Sequence, residues 1–425
     1  MTATVLAGCY SAEPSMTDRD PAEIDADGGA SQPDSAAGSV GDADAPQQDA
    51  AAADATTREA SAEDQHDAGS SLPDDTGAGE QFGPPPRQNP FTAPDGLATQ
   101  HGDSAASDTS PLRGPGAGAV RAQRVDLLAA CPSLFVTTRG RVLAVCTQIL
   151  NQSPAVFLLD AERGTTLASL QVAGGDLFGG VYPYLDAQDR LLVVDGTNRL
   201  LRVAAGDTTL AVEGSVSLAA QLPSDCGRPS CDSVVGLAPD YDGRIWFATQ
   251  GAKVGTVDFD AQRVELLALP ADERVANSIA TAPEGTAVVT DHALYLLRAD
   301  ERGAPTPVFR AEYDRGAARK PGQLSHGSGS TPTFFGPRGG SEYLAIFDNA
   351  QPVMNLLIYR ADASSELLCR QPLPEPAGLA SESSPIGSGR SVIVSSSYGY
   401  PYPALPRDAG PSVPASAPLR GGMTR

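Results

Sequence analysis

An all-β fold is what this 425-residue sequence predicts. Three observations predict it. A turn-and-strand unit recurs every 40–56 residues. No segment sustains the 3.6-residue period of a helix. Composition also changes near Val120, from runs of Ala, Asp, Ser, Gly and Pro to short clusters of Val, Leu, Ile and Tyr.

The repeat can be read strand by strand. Gly140–Thr147, Asp189–Asp195, Gly243–Thr249, Gly285–Asp291, Glu342–Asp348 and Gly389–Val394 each follow a turn. The first five lead into a second strand: Ala155–Asp160, Arg199–Val203, Lys253–Asp258, Ala293–Leu297 and Asn355–Tyr359. Weaker third strands such as Arg263–Leu267 and Ser365–Cys369 follow, and strands such as Val234–Ala238 and Asn277–Thr281 precede the turns. Four antiparallel strands repeated at this spacing predict a β-propeller of about six blades. A stacked β-sandwich is the competing architecture. The sixth unit lacks material for two further strands, so the last blade is expected to be incomplete and the chain cut short at its carboxyl end. Residues 119–128 could lend it one strand. An open strand edge would otherwise remain.

The predicted organisation is therefore 1–9 a signal remnant, 10–118 a linker, 119–403 the propeller and 404–425 a Pro/Gly/Ala-rich tail. Residues 11–120 hold 21 Asp and Glu against 4 Arg and no Lys, a net of −17 out of −22 for the chain. Their two aromatics are Phe82 and Phe91. Such a segment buries too little apolar surface to offset its ordering entropy, and it is expected to be disordered. The acidic balance excludes nucleic acid as an expected partner.

Leu6-Ala7-Gly8-Cys9 resembles a bacterial lipobox, in which the cysteine is acylated. The basic start and apolar stretch of about 7–15 residues that a signal requires do not precede it. The resemblance implies an envelope lipoprotein, periplasmic or anchored at the outer membrane, that touches the membrane only through its lipid, and the chain is expected to be a monomer. No apolar run is long enough to span a bilayer. Among the other cysteines, Cys131 with Cys146 and Cys226 with Cys231 are candidate disulfides in such an oxidising compartment. Cys369 is left over, and Cys131 with Cys369 is an alternative pairing.

Pro239-Asp-Tyr-Asp-Gly-Arg-Ile-Trp-Phe-Ala-Thr249 and Asn277-Ser-Ile-Ala280 resemble the propellers of the senescence-marker-protein/gluconolactonase and NHL groups. Tyr313-Asp-Arg-Gly316, Lys320–Thr333, Asp348-Asn-Ala350 and Tyr398-Gly-Tyr400 are similar to a group of uncharacterised secreted bacterial propellers. That group reads Glu-Asn-Asn where this chain has Ser395-Ser-Ser397. The first resemblance implies one divalent cation, such as Ca or Zn, held by oxygen ligands, with Asn277 at an asparagine-ligand position. A matching first-blade glutamate is missing.

Polar residues at the entry to inner strands can converge in a propeller channel. Asn277, Ser278, Thr331, Asp348, Asn349 and Glu382 are the candidates for ligand or metal contact, and His326 for a general base. The other histidines carry less: His292 reads as a turn residue, and His66 and His101 carry no inference. The expected function is a non-catalytic binding or scaffold module for an unknown protein or small molecule. The alternative is a metal-dependent hydrolase or lactonase.

Overall fold

In a computed structural model, the chain is a β-propeller without a helix among its described residues. These are 83–94, 97–112, 124–148, 153–174, 182–222, 232–402, 405–406 and 409–425. The expectations for Cys9, for Cys226 and Cys231, and for the linker before residue 83 fall outside them.

Six antiparallel sheets follow one another along the described chain. Sheet 1 contains β1 (Ala129–Val136), β2 (Arg141–Gln148), β3 (Pro154–Asp160) and β4 (Thr165–Gln171). Sheet 2 contains β5 (Tyr184–Leu185), β6 (Arg190–Val194), β7 (Arg199–Ala205) and β8 (Leu210–Ser217). Sheet 3 contains β9 (Val234–Pro239), β10 (Ile245–Thr249), β11 (Lys253–Asp258) and β12 (Arg263–Ala268). Sheet 4 contains β13 (Ala280–Ala282), β14 (Gly285–Val289), β15 (Ala293–Ala299) and β16 (Pro305–Glu312). Sheet 5 contains β17 (Thr333–Phe335), β18 (Tyr343–Phe347), β19 (Asn355–Arg360) and β20 (Leu367–Pro372). Sheet 6 contains β21 (Ile386–Ser388), β22 (Ser391–Ser395) and β23 (Met423–Thr424).

Turn chemistry sets the hairpins. Asp186 Oδ1 accepts from the backbone N–H groups of Gln188 and Arg190, both at 2.9 Å, and its Oδ2 accepts from Arg190 Nε at 2.7 Å. Asp195 with Arg199 and Asp240 with Arg244 repeat this Asx turn. The aspartate organises the reversal and the arginine neutralises it. In sheets 3, 4 and 5 the first strands β9, β13 and β17 are buried throughout, whereas the last strands β12, β16 and β20 are half-buried or exposed along most of their length. Apolar side chains fill each junction from sheets 1 and 2 to sheets 5 and 6. Phe135 packs with Leu191, Tyr184 with Phe247, Trp246 with Tyr295, Leu294 with Phe334, and Phe347 with Val394.

Residues 83–112 correct the expectation of a disordered linker running to 118. Asn89, Thr92, Ala93, Ala98, Ser104, Ala105, Ala106 and Ser107 are all buried. This segment bonds to the first strand of every sheet. Gln100 Oε1 accepts from Ser133 Oγ of sheet 1 at 3.4 Å. The backbone N–H of Ala93 donates to Leu185 O, and that of Leu185 to Ala98 O, in sheet 2. Asn89 Nδ2 donates to Pro239 O of sheet 3 at 2.9 Å. Ser104 O accepts from Thr281 N, Ala105 O from Phe334 N, and Ser107 O from Gly387 N, in sheets 4, 5 and 6. Inner-strand groups that would otherwise face the channel are thereby paired, as buried backbone requires. Small side chains let the segment fit between the strands.

The carboxyl-terminal tail also departs from expectation. Met423 and Thr424 pair with Ser395 and Val394, so sheet 6 takes its third strand from residues assigned to a tail. Residues 124–128 form no strand. Cys131 and Cys146 are joined as expected, across the β1–β2 hairpin. Cys369 is also disulfide-bonded, not to Cys131.

Asn89→Ala is expected to lower the stability of the full chain by about 1–2 kcal/mol. The change removes both hydrogen bonds of this buried side chain, to Pro239 O and from Phe91 N. Chemical denaturation reads this, and an unchanged midpoint would show that the bonds between the segment and the sheets carry no weight.

Candidate functional site

The loops leading into the inner strands form one face of the ring, and most of the candidates lie there. Tyr182 precedes β5, Asn277 and Ser278 precede β13, Ser328–Thr331 precede β17 and Glu382 precedes β21. Tyr182 Oη donates to Asn277 Oδ1 at 3.3 Å, and Asn277 Nδ2 donates to Glu382 Oε1 at 3.5 Å. The Leu324 backbone N–H donates to Glu382 Oε2 at 2.9 Å. Burial pushes the Glu382 carboxyl up to about 8, outweighing these donors and the charge of Arg319. Gly329 is required beside it, since a Cβ there would fall against Glu382 Oε2. Ser397 accepts from the Glu382 backbone N–H and donates to Gly322 O, so the divergent serine motif is a bracket for this loop.

Asp348 and Asn349 do not join Asn277 and Glu382. Asp348 is wholly buried and accepts from Asn355 N and Nδ2, both at 2.6 Å, and from Ala350 N. Asn349 donates to Arg315 O and Ala318 O and accepts from Gln323. Both hold loops in place. The oxygen set that a gluconolactonase-type cation would need is not assembled. Glu382 stands without a second carboxylate, and among the described residues no group of three or more His, Cys, Asp or Glu could hold a metal.

His326 has both ring nitrogens engaged: Nδ1 accepts from Arg315 Nη2 at 3.1 Å and Nε2 donates to Gly316 O at 3.0 Å. Arg315 also bonds His292 Nε2 at 2.6 Å and Asp291 Oδ2 at 2.7 Å. His326 is therefore a loop-ordering residue in this arrangement, and His292 is a turn residue tied into the same network.

Sequence reasoning missed three contributors. His101 reaches the face from the channel-filling segment; Nδ1 bonds Asp108 and Nε2 bonds Thr331 Oγ1, each at 3.0 Å. Its ring stacks on Tyr182, 11° from parallel with centroids 6.3 Å apart. Tyr182 could have been found by its strand-entry position, which matches that of Asn277. Nothing in the periodicity marks His101. The third contributor is the carboxyl-terminal tail. Arg319 Nε donates to Gly410 O, and Val413 N donates to Arg319 O. Pro406 and Ala409 thereby become part of the wall of a cavity of about 90 Å³, together with Tyr182, Asn277, Asp291 and His326.

No protein-family model matches this chain. An uncharacterised protein of Archaeoglobus fulgidus is 31% identical over 214 residues, which are 49% of this chain and 40% of that protein. The chain thus spans less than half the length of that relative. Among solved structures, a catalytically inactive virginiamycin B lyase from Staphylococcus aureus with quinupristin has a TM-score of 0.38 at 12% identity, covering 64% of this chain and 78% of that one. A protein from Lactobacillus plantarum has a TM-score of 0.38 at 16% identity, covering 59% and 73%. A streptogramin B lyase has a TM-score of 0.34 at 13% identity, covering 65% and 92%. None of these values bears on what this chain binds.

Glu382 ties stability to pH. An ordinary glutamate in the unfolded chain loses its proton near 4.5, whereas the folded chain keeps this one up to about 8. The folded state therefore binds more protons between those values, and stability falls as pH rises through that window. Glu382→Gln keeps the shape and the acceptor for Leu324. It is expected to flatten that slope and raise the melting temperature at pH 8 by about 3 °C or more. Parallel profiles for the two proteins in thermal melts from pH 5 to 8 would contradict the assignment.

Proposed function

We propose that this protein is a non-catalytic binding module whose ligand site is the cavity beside Asn277, at the mouth of the filled channel. One observation carries the reading: strand-entry loops and the carboxyl-terminal tail build a largely apolar cavity with a few polar groups in its wall, while the side chains that could do chemistry near it are engaged elsewhere. His326 has no free ring nitrogen, and Asp348 lies in a turn. Pre-formed concave sites with a few fixed polar groups are the usual form of small-ligand pockets. In the same reading, acylation at Cys9 would tether the module in a bacterial envelope.

The test is a thermal-shift screen of the full chain against small metabolites, repeated on Ala276→Phe. Ala276 lines the cavity, and the larger side chain fills it. A hit is expected to raise the melting temperature of the wild type and to lose at least tenfold in affinity in the variant. Lactone hydrolysis that needs added Ca or Zn and vanishes in Glu382→Gln would replace this reading with the gluconolactonase-type alternative.

A further inference from the structure

The lining of the cavity grades from a charged rim to an apolar interior, and the inference drawn from it rests on the binding reading above. Among the described lining residues Arg274 alone is exposed, whereas Val275, Val289 and Ala409 are buried and Leu324 and Pro406 half-buried. The acid and the guanidinium in this lining are unequally matched. Asp291 Oδ2 pairs with Arg315 Nη2 at 2.7 Å, and Oδ1 accepts from Arg274 N at 2.7 Å and bonds His292 Nδ1 at 3.0 Å. Arg274 Nη1 donates to Ala271 O at 3.0 Å and Glu273 O at 2.7 Å, which fix the guanidinium without neutralising it. No carboxylate pairs with Arg274 among the described residues. One positive charge at the rim is therefore in excess.

The unmet hydrogen-bonding groups point the same way. Ser325 Oγ, in the lining, and Arg315 Nε, behind Asp291 and His326, are both buried without a partner. The Gln250 carboxamide, also in the lining, makes no hydrogen bond among the described residues. Each of these groups can donate, and an anion only accepts. Glu382, to which Asn277 donates, keeps its proton up to about 8 and so sets no negative charge beside such an anion at neutral pH. The apolar interior fixes the rest of the ligand. A volume of about 90 Å³ equals about three waters' share of liquid, room for the three-carbon tail of an acid whose carboxylate lies at the rim. A carboxylate there would present its two oxygens to the fork of the guanidinium.

We infer that this cavity binds a short aliphatic monocarboxylate, its carboxylate on Arg274 and its tail against Val275, Val289 and Leu324.

Butyrate, butyramide and butylamine are nearly equal in size and are anionic, neutral and cationic at pH 7. Saturation-transfer NMR titrations on the full chain measure each, with Arg274→Gln and Arg274→Lys as charge variants and Ala276→Phe as the blocked control. Butyrate is expected to bind at least fivefold tighter than butyramide, and butylamine more weakly than either. That preference is expected to vanish in Arg274→Gln and to persist in part in Arg274→Lys, which keeps the charge and loses the fork. Binding of all three is expected to be lost in Ala276→Phe. Because Arg274 is exposed, its variants test the inference even where Ala276→Phe fails to fold. Butyramide or butylamine binding as tightly as butyrate would overturn the ligand class while leaving the cavity as a site. A preference for butyrate that survives Arg274→Gln would overturn the assignment of Arg274, and binding that survives Ala276→Phe would overturn the cavity itself. Binding of none of the three would overturn the inference, and the metabolite screen above would then decide separately whether the cavity is a site.

Discussion

The hydrogen bonds between residues 89–107 and the first strand of each of six sheets are the constraint on which the rest of this structure depends. A propeller sheet satisfies its neighbours sideways through apolar contacts, but its innermost strand faces an axis where backbone groups are left open. Here that row is closed from within. Carbonyls of Ser104, Ala105 and Ser107 take the N–H groups of three successive inner strands, while Ala93 and Ala98 bracket Leu185. Apolar packing joins sheet 1 to sheet 2 and so on to sheet 6, and no described apolar cluster spans sheets 6 and 1. The central segment touches both of those sheets, through Gln100 and Ser107.

The candidate site inherits this arrangement. His101 is delivered by the central segment, stacks on Tyr182 and so backs the Tyr182–Asn277–Glu382 chain. From the opposite end of the chain, Arg319 clasps Gly410 and brings Pro406 and Ala409 over the cavity. The site thus depends on segments roughly three hundred positions apart in sequence, and its walls cannot be taken from the repeat alone.

That division marks what was legible in the sequence. The strands following Gly140, Asp189, Gly243, Gly285, Glu342 and Gly389 could be read because a half-buried strand and an Asx turn are local properties. Asn277 and Glu382 were legible as strand-entry residues and do meet. Asp348 and Asn349 looked equivalent to them, but whether a carboxylate faces a cavity or its own turn is decided by neighbours such as Asn355 and Gln323, which spacing does not reveal. Residues 83–112 were illegible for a deeper reason. Ala, Ser and Gly are the composition of a chain that cannot build a core of its own. They are equally the composition of one thin enough to be enclosed by a core that others build.

The position of this segment also bears on how the chain is assembled. It precedes every sheet in the sequence and would leave a ribosome before any of them, yet its bonds reach Pro239, 150 residues on, and Thr331, 230 residues on from His101. Contacts of such separation are the slow ones, because loop closure must precede them. The first part of the domain to be synthesised is therefore fully satisfied only when the last sheets have formed around it, although its partners in sheets 1 and 2 come earlier. A nascent propeller must keep part of its own axle waiting for partners until the later blades exist.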